Sequence, residues 1–145
     1  MKDNEKNLST EEQRVPFALT GNEGEVMETM WRENRPMSRS EIIEASPERS
    51  WKQSTIHLLL NSLLEKGAIE VCGFTRAGKT YGRTFAPTLS ACEYAAMQLR
   101  NSYGFDSSSS RAIPDLVSAL IDREDDAGQL ILDLENMLEE RKKGL

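Results

Sequence analysis

The residue types that could do chemistry are few and scattered. The chain has one histidine, His57, and two cysteines, Cys72 and Cys92. The cysteines have neither a CxxC pair nor a histidine cluster beside them, which sets aside a zinc or disulfide framework. Any Ser-His-Asp triad or histidine-based metal site would have to be built around His57 alone. Gly78-Lys79-Thr80 ends like a phosphate loop but lacks its upstream glycine and its strand-loop-helix setting. No GxSxG or HExxH segment occurs, so neither an enzyme nor a bound cofactor or metal is expected. What the sequence does hold is a series of groove-reading types, polar but for Leu58: Lys52, Gln53, Ser54, Thr55, His57, Leu58, Asn61 and Ser62. Gln and Asn pair bidentately with adenine, Lys donates to guanine, and a Thr methyl or Leu58 meets a thymine methyl. His57 in that company would touch a phosphate or base rather than act as a base catalyst.

Placing such a series on one face requires a helix whose other face is apolar. Ile56, Leu59, Leu60, Leu63 and Leu64 trace that stripe, from an expected capping box at Ser50 and Gln53 to Lys66 and the terminating Gly67. Two helices are expected before it. Thr20 and Glu23 form a capping box with Leu19 as staple, and Val26, Met27, Met30 and Trp31 repeat over roughly residues 21 to 34. Ser38 and Glu41 form another box, ahead of Ile42, Ile43 and Ala45 and between Pro36 and Pro47. After Gly67 the period drops from 3.6 to 2, with Ile69, Val71, Tyr81, Arg83 and Phe85 on either side of a turn. That hairpin carries Arg76, Lys79 and Thr80 at its tip. Cys72 falls mid-strand and is expected to be an inert buried thiol, while Trp31 and Trp51 are expected to pack in the core.

Pro87 closes the hairpin, and a box at Ser90 and Glu93 opens a helix toward Tyr103. The segment from Gly104 to Ser110, with its four serines, reads as a flexible joint. Ile113, Leu116, Val117, Leu120 and Ile121 then repeat at helical spacing, as do Leu130, Ile131, Leu134, Met137 and Leu138. Two such stripes cannot bury each other completely, and a second copy of the chain would complete their core. Residues 1 to 15 are polar and aperiodic and read as a mobile leader.

Charge sorts these segments further. The 145-residue chain has a net charge of -6, which argues against a phosphate-rich partner until its distribution is considered. From Arg49 to Arg83 six basic residues face two acidic ones, whereas from Ala91 to Leu145 six face eleven. A basic centre with an acidic tail fits a DNA-contacting domain joined to an arm kept off the phosphates.

The expected fold is therefore mainly α with a small β-hairpin: a winged helix-turn-helix DNA-binding domain over 16–90, then a helical dimerisation domain over 91–145. Candidate DNA contacts are Arg49, Lys52, Gln53, Ser54, Thr55, His57, Leu58, Asn61, Arg76, Lys79 and Thr80. Candidate dimer contacts are Leu116, Leu120, Ile121, Leu130, Ile131, Leu134, Met137 and Leu138. The expected partners are a double-stranded DNA operator and a second copy of the chain, with no membrane. The polar start lacks the apolar core of a secretory signal, which makes the cytoplasm the expected compartment. A protein-binding winged-helix adaptor without DNA binding is the alternative, since a short amphipathic helix needs a polar face of some kind.

Several segments also resemble the penicillinase-repressor family, which includes copper-responsive repressors. They are Leu19 to Trp31 (LTGNEGEVMETMW), Trp51-Lys52-Gln53-Ser54-Thr55-Ile56 with Leu59, Leu63 and Lys66-Gly67, Phe85-Ala86-Pro87, and Leu116-Val117 to Asp125. The resemblance implies a homodimeric winged-helix repressor on a palindromic operator, with the C-terminal helices making the dimer. Lys52-Gln53 stands where the family usually has Ser-Pro, and Ser62 where it has a basic residue. The cysteine-rich tail of the copper-responsive branch is absent, and Ala119-Leu120 replaces the scissile Asn-Phe of proteolytically switched members. Any inducer or protease acting on this chain is therefore left unspecified.

Overall fold

The computed structural model describes residues 14–77 and 80–145, so most of the expected leader, and Lys79 at the hairpin tip, lie outside the described residues. The chain divides into two compact units after Leu99.

In the first unit the capping boxes at Thr20 and Ser38 form as the sequence predicts. The Thr20 hydroxyl accepts from the Glu23 N–H and the Glu23 carboxylate from the Thr20 N–H, opening α1 (Gly21–Glu33), which Asn34 ends in the left-handed conformation. The same reciprocal pair between Ser38 and Glu41 opens α2 (Arg39–Glu44). Just before it, Met37–Ser38 forms β1, a two-residue strand too short to leave a sequence signature. The third box does not form. The Ser50 N–H donates to Glu25 Oε1 at 2.9 Å and Trp51 turns into the core, so the chain is not yet helical there. A 3₁₀ turn, Gln53–Thr55, leads instead into α3 (Ile56–Lys66), which ends at Gly67 with φ +76°. That left-handed turn is why a glycine stands at the end of the helix.

The hairpin is β2 (Ile69–Ala77) and β3 (Thr80–Pro87), and with β1 it makes a three-stranded antiparallel sheet in the order β1-β3-β2. Val71 pairs with Phe85 and Gly73 with Thr84, leaving Cys72 as the extra residue of a bulge. Cys72 is consequently exposed, with Sγ 3.6 Å from the Thr84 carbonyl, and not the buried thiol expected.

The core joins α1, α2, α3 and the sheet through Val26, Met27, Met30, Ile42, Leu60, Leu63 and Phe85. Two polar contacts fix their mutual placement. Thr29 Oγ1 and Ser46 Oγ, both buried, lie 2.8 Å apart between α1 and the turn after α2. Glu23, at the start of α1, accepts from Lys66 Nζ and from the Ser62 hydroxyl at 2.6 Å on α3. Burial alone pushes the Glu23 carboxyl up, but the hydrogen bonds from Lys66, Ser62 and Thr20 outweigh it and bring the group from 4.5 to about 2.

The Ser90–Glu93 box opens α4 (Ala91–Arg100), which stops short of Tyr103. The first unit extends through most of this helix, nine residues beyond the boundary expected from sequence. Tyr94 explains the difference: its ring lies 5.8 Å from Phe17 and 6.0 Å from Trp31, and its hydroxyl accepts from the Leu19 N–H at 3.0 Å. Gln98 adds a hydrogen bond to the Phe17 carbonyl at 2.7 Å. Arg14, assigned to the leader by sequence, bonds Thr88 through both Oγ1 (2.8 Å) and the carbonyl (2.9 Å).

In the second unit, α5 (Ala112–Ile121) and α6 (Ala127–Lys143) occupy the positions of the two apolar stripes. Asp106, in the serine-rich segment, accepts from the N–H and hydroxyl of Ser108 and so closes a tight turn. Asp126 caps α6 through the Gln129 N–H. No residue of either helix is buried. Among the described residues, no helix is long and apolar enough to cross a membrane, and no His, Cys, Asp and Glu cluster could hold a metal ion.

Candidate nucleic-acid interface

Packing decides which face of α3 meets solvent. With Ile56, Leu60 and Leu63 buried, the 100° step between successive residues turns His57, Leu58 and Asn61 outward, and Leu58 is 70% exposed. The preceding 3₁₀ turn presents Lys52, Gln53 and Ser54 on the same exposed end. Its geometry is held by Thr55, whose hydroxyl donates to the Lys52 carbonyl at 2.6 Å.

α2 supplies a neighbour that the sequence did not single out. The Arg39 guanidinium lies 2.6 Å from His57 Nε2 and 3.2 Å from Nδ1. A guanidinium has only donors, so the imidazole accepts in this contact. Arg39, Ile43, Gln53, Ser54 and His57 line a shallow cleft between α2 and the start of α3. Arg35, on the loop before α2, pairs with Glu41, and this pairing, with the Ser38 N–H, holds that carboxyl below the usual carboxylate range. The carboxylate nearest Arg39 in sequence is thus already paired with another arginine. What results is a cationic, donor-rich ridge made from one helix start and one helix face, followed along the chain by a hairpin with Arg76 and Arg83 exposed.

α1, β1, α2, α3 and the antiparallel hairpin, in this order, form a winged helix, which the sequence pattern predicted in all but β1. The penicillinase repressor family matches residues 19–140. The chain belongs to that family. Its members are transcriptional regulators. Among solved structures, S. aureus MepR in a DNA-binding conformation is similar at 15% identity, over 97% of this chain and 93% of that one, with a TM-score of 0.40. No curated protein matches the sequence.

Within this family member the candidate residues separate into groups. Lys52, Gln53, Ser54, His57, Leu58 and Asn61 are brought together on the exposed ridge. Thr55 is half-buried and spends its hydroxyl on the turn. Ser62 is half-buried and directed to Glu23 rather than to solvent. Arg49 donates to the Ser46 carbonyl at 3.1 Å and stacks with its guanidinium 5.3 Å from the Trp51 ring centroid. It fixes the turn between α2 and α3. Arg76 is exposed on β2, Thr80 is the first residue of β3, and Lys79 lies outside the described residues. The dimer candidates sit on α5 and α6, where Leu116, Ile121, Leu130 and Leu134 are half-buried and Leu120, Ile131, Met137 and Leu138 exposed.

Proposed function

We propose that this chain is a non-enzymatic, cytoplasmic repressor that binds an inverted-repeat DNA operator as a homodimer. α3 and its leading 3₁₀ turn read the major groove, the hairpin clamps phosphates, and α5 with α6 joins two copies. The observation that carries this is the ridge itself: six polar or groove-complementary side chains from Lys52 to Asn61 are held outward over a closed core, with Arg39 beside them. Family membership supports it, because a regulator of transcription needs such a surface.

Enrichment of genomic duplex fragments on the immobilised protein, followed by titration at about 50 and about 200 mM salt, tests the proposal. Six or more phosphate contacts predict an affinity loss on the order of 10³ across that range. Failure to enrich any fragment, or salt-insensitive binding, would favour a protein-binding adaptor instead.

A further inference from the structure

No residue of α4 is buried, yet this helix leads from the hairpin into the second unit, which begins at Arg100. Half-buried Tyr94 and Met97 pack against the core, and the segment 14–19 ahead of α1 supplies polar ties. Three successive residues of that segment each give a backbone group to a side chain on another element. The Phe17 carbonyl accepts from Gln98 Nε2 at 2.7 Å, and the Ala18 carbonyl from Lys66 Nζ at 2.8 Å. The Leu19 N–H donates to the Tyr94 hydroxyl at 3.0 Å. Tyr94 and Gln98 lie about one turn apart on α4, whereas Lys66 is the last residue of α3. The segment therefore ties the end of the reader helix to one face of α4. It is anchored in turn by Arg14, which bonds Thr88 two residues before the Ser90 cap of α4.

We propose that segment 14–19 is a strap that fixes the direction of α4 against the reader helix. Tyr94 and Gln98 are then positioning residues that determine which half-site spacing the homodimer accepts. The inference rests on the homodimeric operator binding proposed above and assigns its spacing selectivity. Polar ties suit this role, because a hydrogen bond fixes direction whereas apolar contact is non-directional. The lever is also long enough. The ten residues of α4 span about 15 Å, so a swing of about 20° carries the far end about 5 Å, more than the rise of one base pair, about 3.4 Å. A strapped α4 lets both reader helices engage at one spacing. At any other spacing the second reader loses its effective concentration.

The full-length chain is used to select an inverted-repeat site from a random-sequence duplex library. That site is then rebuilt with its spacer one or two base pairs longer or shorter, and as a single half-site. Wild type should lose about tenfold or more in affinity when the spacer changes by one base pair. The double variant Tyr94→Phe/Gln98→Ala, which keeps a ring against Phe17, should lose less than about threefold. It should bind the single half-site as wild type does and sediment as the same dimer. If the double variant melts early, selectivity is read from Gln98→Ala alone, which leaves Tyr94 intact and should show part of the same relaxation. Variants as selective as wild type, weaker on the single half-site, or monomeric overturn the strap's role and leave operator binding standing. So does a wild type that binds every spacer equally well. A wild type that selects no inverted repeat overturns the homodimeric reading too.

Discussion

Arg39 and His57 are 18 positions apart and meet only because α2 crosses the start of α3. If both face DNA, their effects on binding are coupled, because removing either side chain leaves the other without its partner. Arg39→Ala and His57→Ala should each weaken binding to an enriched duplex by about 1–3 kcal/mol, and the double variant should lose at least 0.5 kcal/mol less than their sum, by order of magnitude. Strict additivity in that cycle would show that the pair does not act together on DNA. The exposed ridge was legible from residue types and helical spacing, whereas Arg39 was not, because spacing does not reveal where two helices cross. The bonds of Arg49 and Thr55 to the Ser46 and Lys52 carbonyls were illegible for a related reason: a backbone partner leaves no mark in sequence. Glu23 gives a residue-scale prediction about folding. Its carboxyl is depressed to about 2 in the folded chain, so its stabilising contribution is present above its ordinary 4.5 and is lost as pH falls from there through about 2. Wild type should lose about 3 kcal/mol more stability than Glu23→Gln between about pH 5 and pH 2, measured by urea unfolding. Parallel pH curves would place the Lys66 and Ser62 contacts outside the folding balance.

At the scale of elements, three of the four expected capping boxes form and the one expected to open α3 does not. Thr20, Ser38 and Ser90 each satisfy an otherwise unpaired helix N–H. No side chain caps the 3₁₀ turn or α3. A capping motif is a local pattern, and at Ser50 tertiary packing overrides it: Glu25 on α1 takes the Ser50 N–H, and the indole of Trp51 occupies the core. Ser38→Ala should therefore destabilise the first unit by about 1 kcal/mol while Ser50→Ala changes it by less than about 0.5 kcal/mol. Thermal denaturation of the two variants decides this, and an equal loss at both would mean that Ser50 does cap the helix in solution. β1 and the bulge at Cys72 were illegible for a different reason. Two paired residues carry no periodicity, and one extra residue in a strand is defined only by its partner strand. Yet that bulge is what exposes Cys72, so the least legible feature of the hairpin overturns the buried thiol expected there.

For the whole molecule, the contrast between the units matters most. Among the described residues, the first closes its core with thirteen buried hydrophobic residues, whereas the second buries none on either of its helices. Leu120, Leu132 and Leu138 are all more than half exposed there. An apolar surface of that kind on an acidic arm fits burial against a second copy, which is the proposed dimer. A two-fold pair would present two reader helices about 34–36 Å apart, or a multiple of that spacing, and so would require an inverted-repeat site. Leu134 and Leu138 lie one helical turn apart on α6, and replacing both with Asp should cost several kcal/mol of association by placing charge in the shared core. Sedimentation should then show monomer, and affinity for a two-half-site duplex should fall toward that of a single half-site, because the second copy no longer binds as part of the same molecule. The first unit should keep its own melting transition in that variant, which separates loss of assembly from loss of fold. A native chain that sediments as monomer at micromolar concentration, and binds one half-site as tightly as two, would show that α5 and α6 do not join copies.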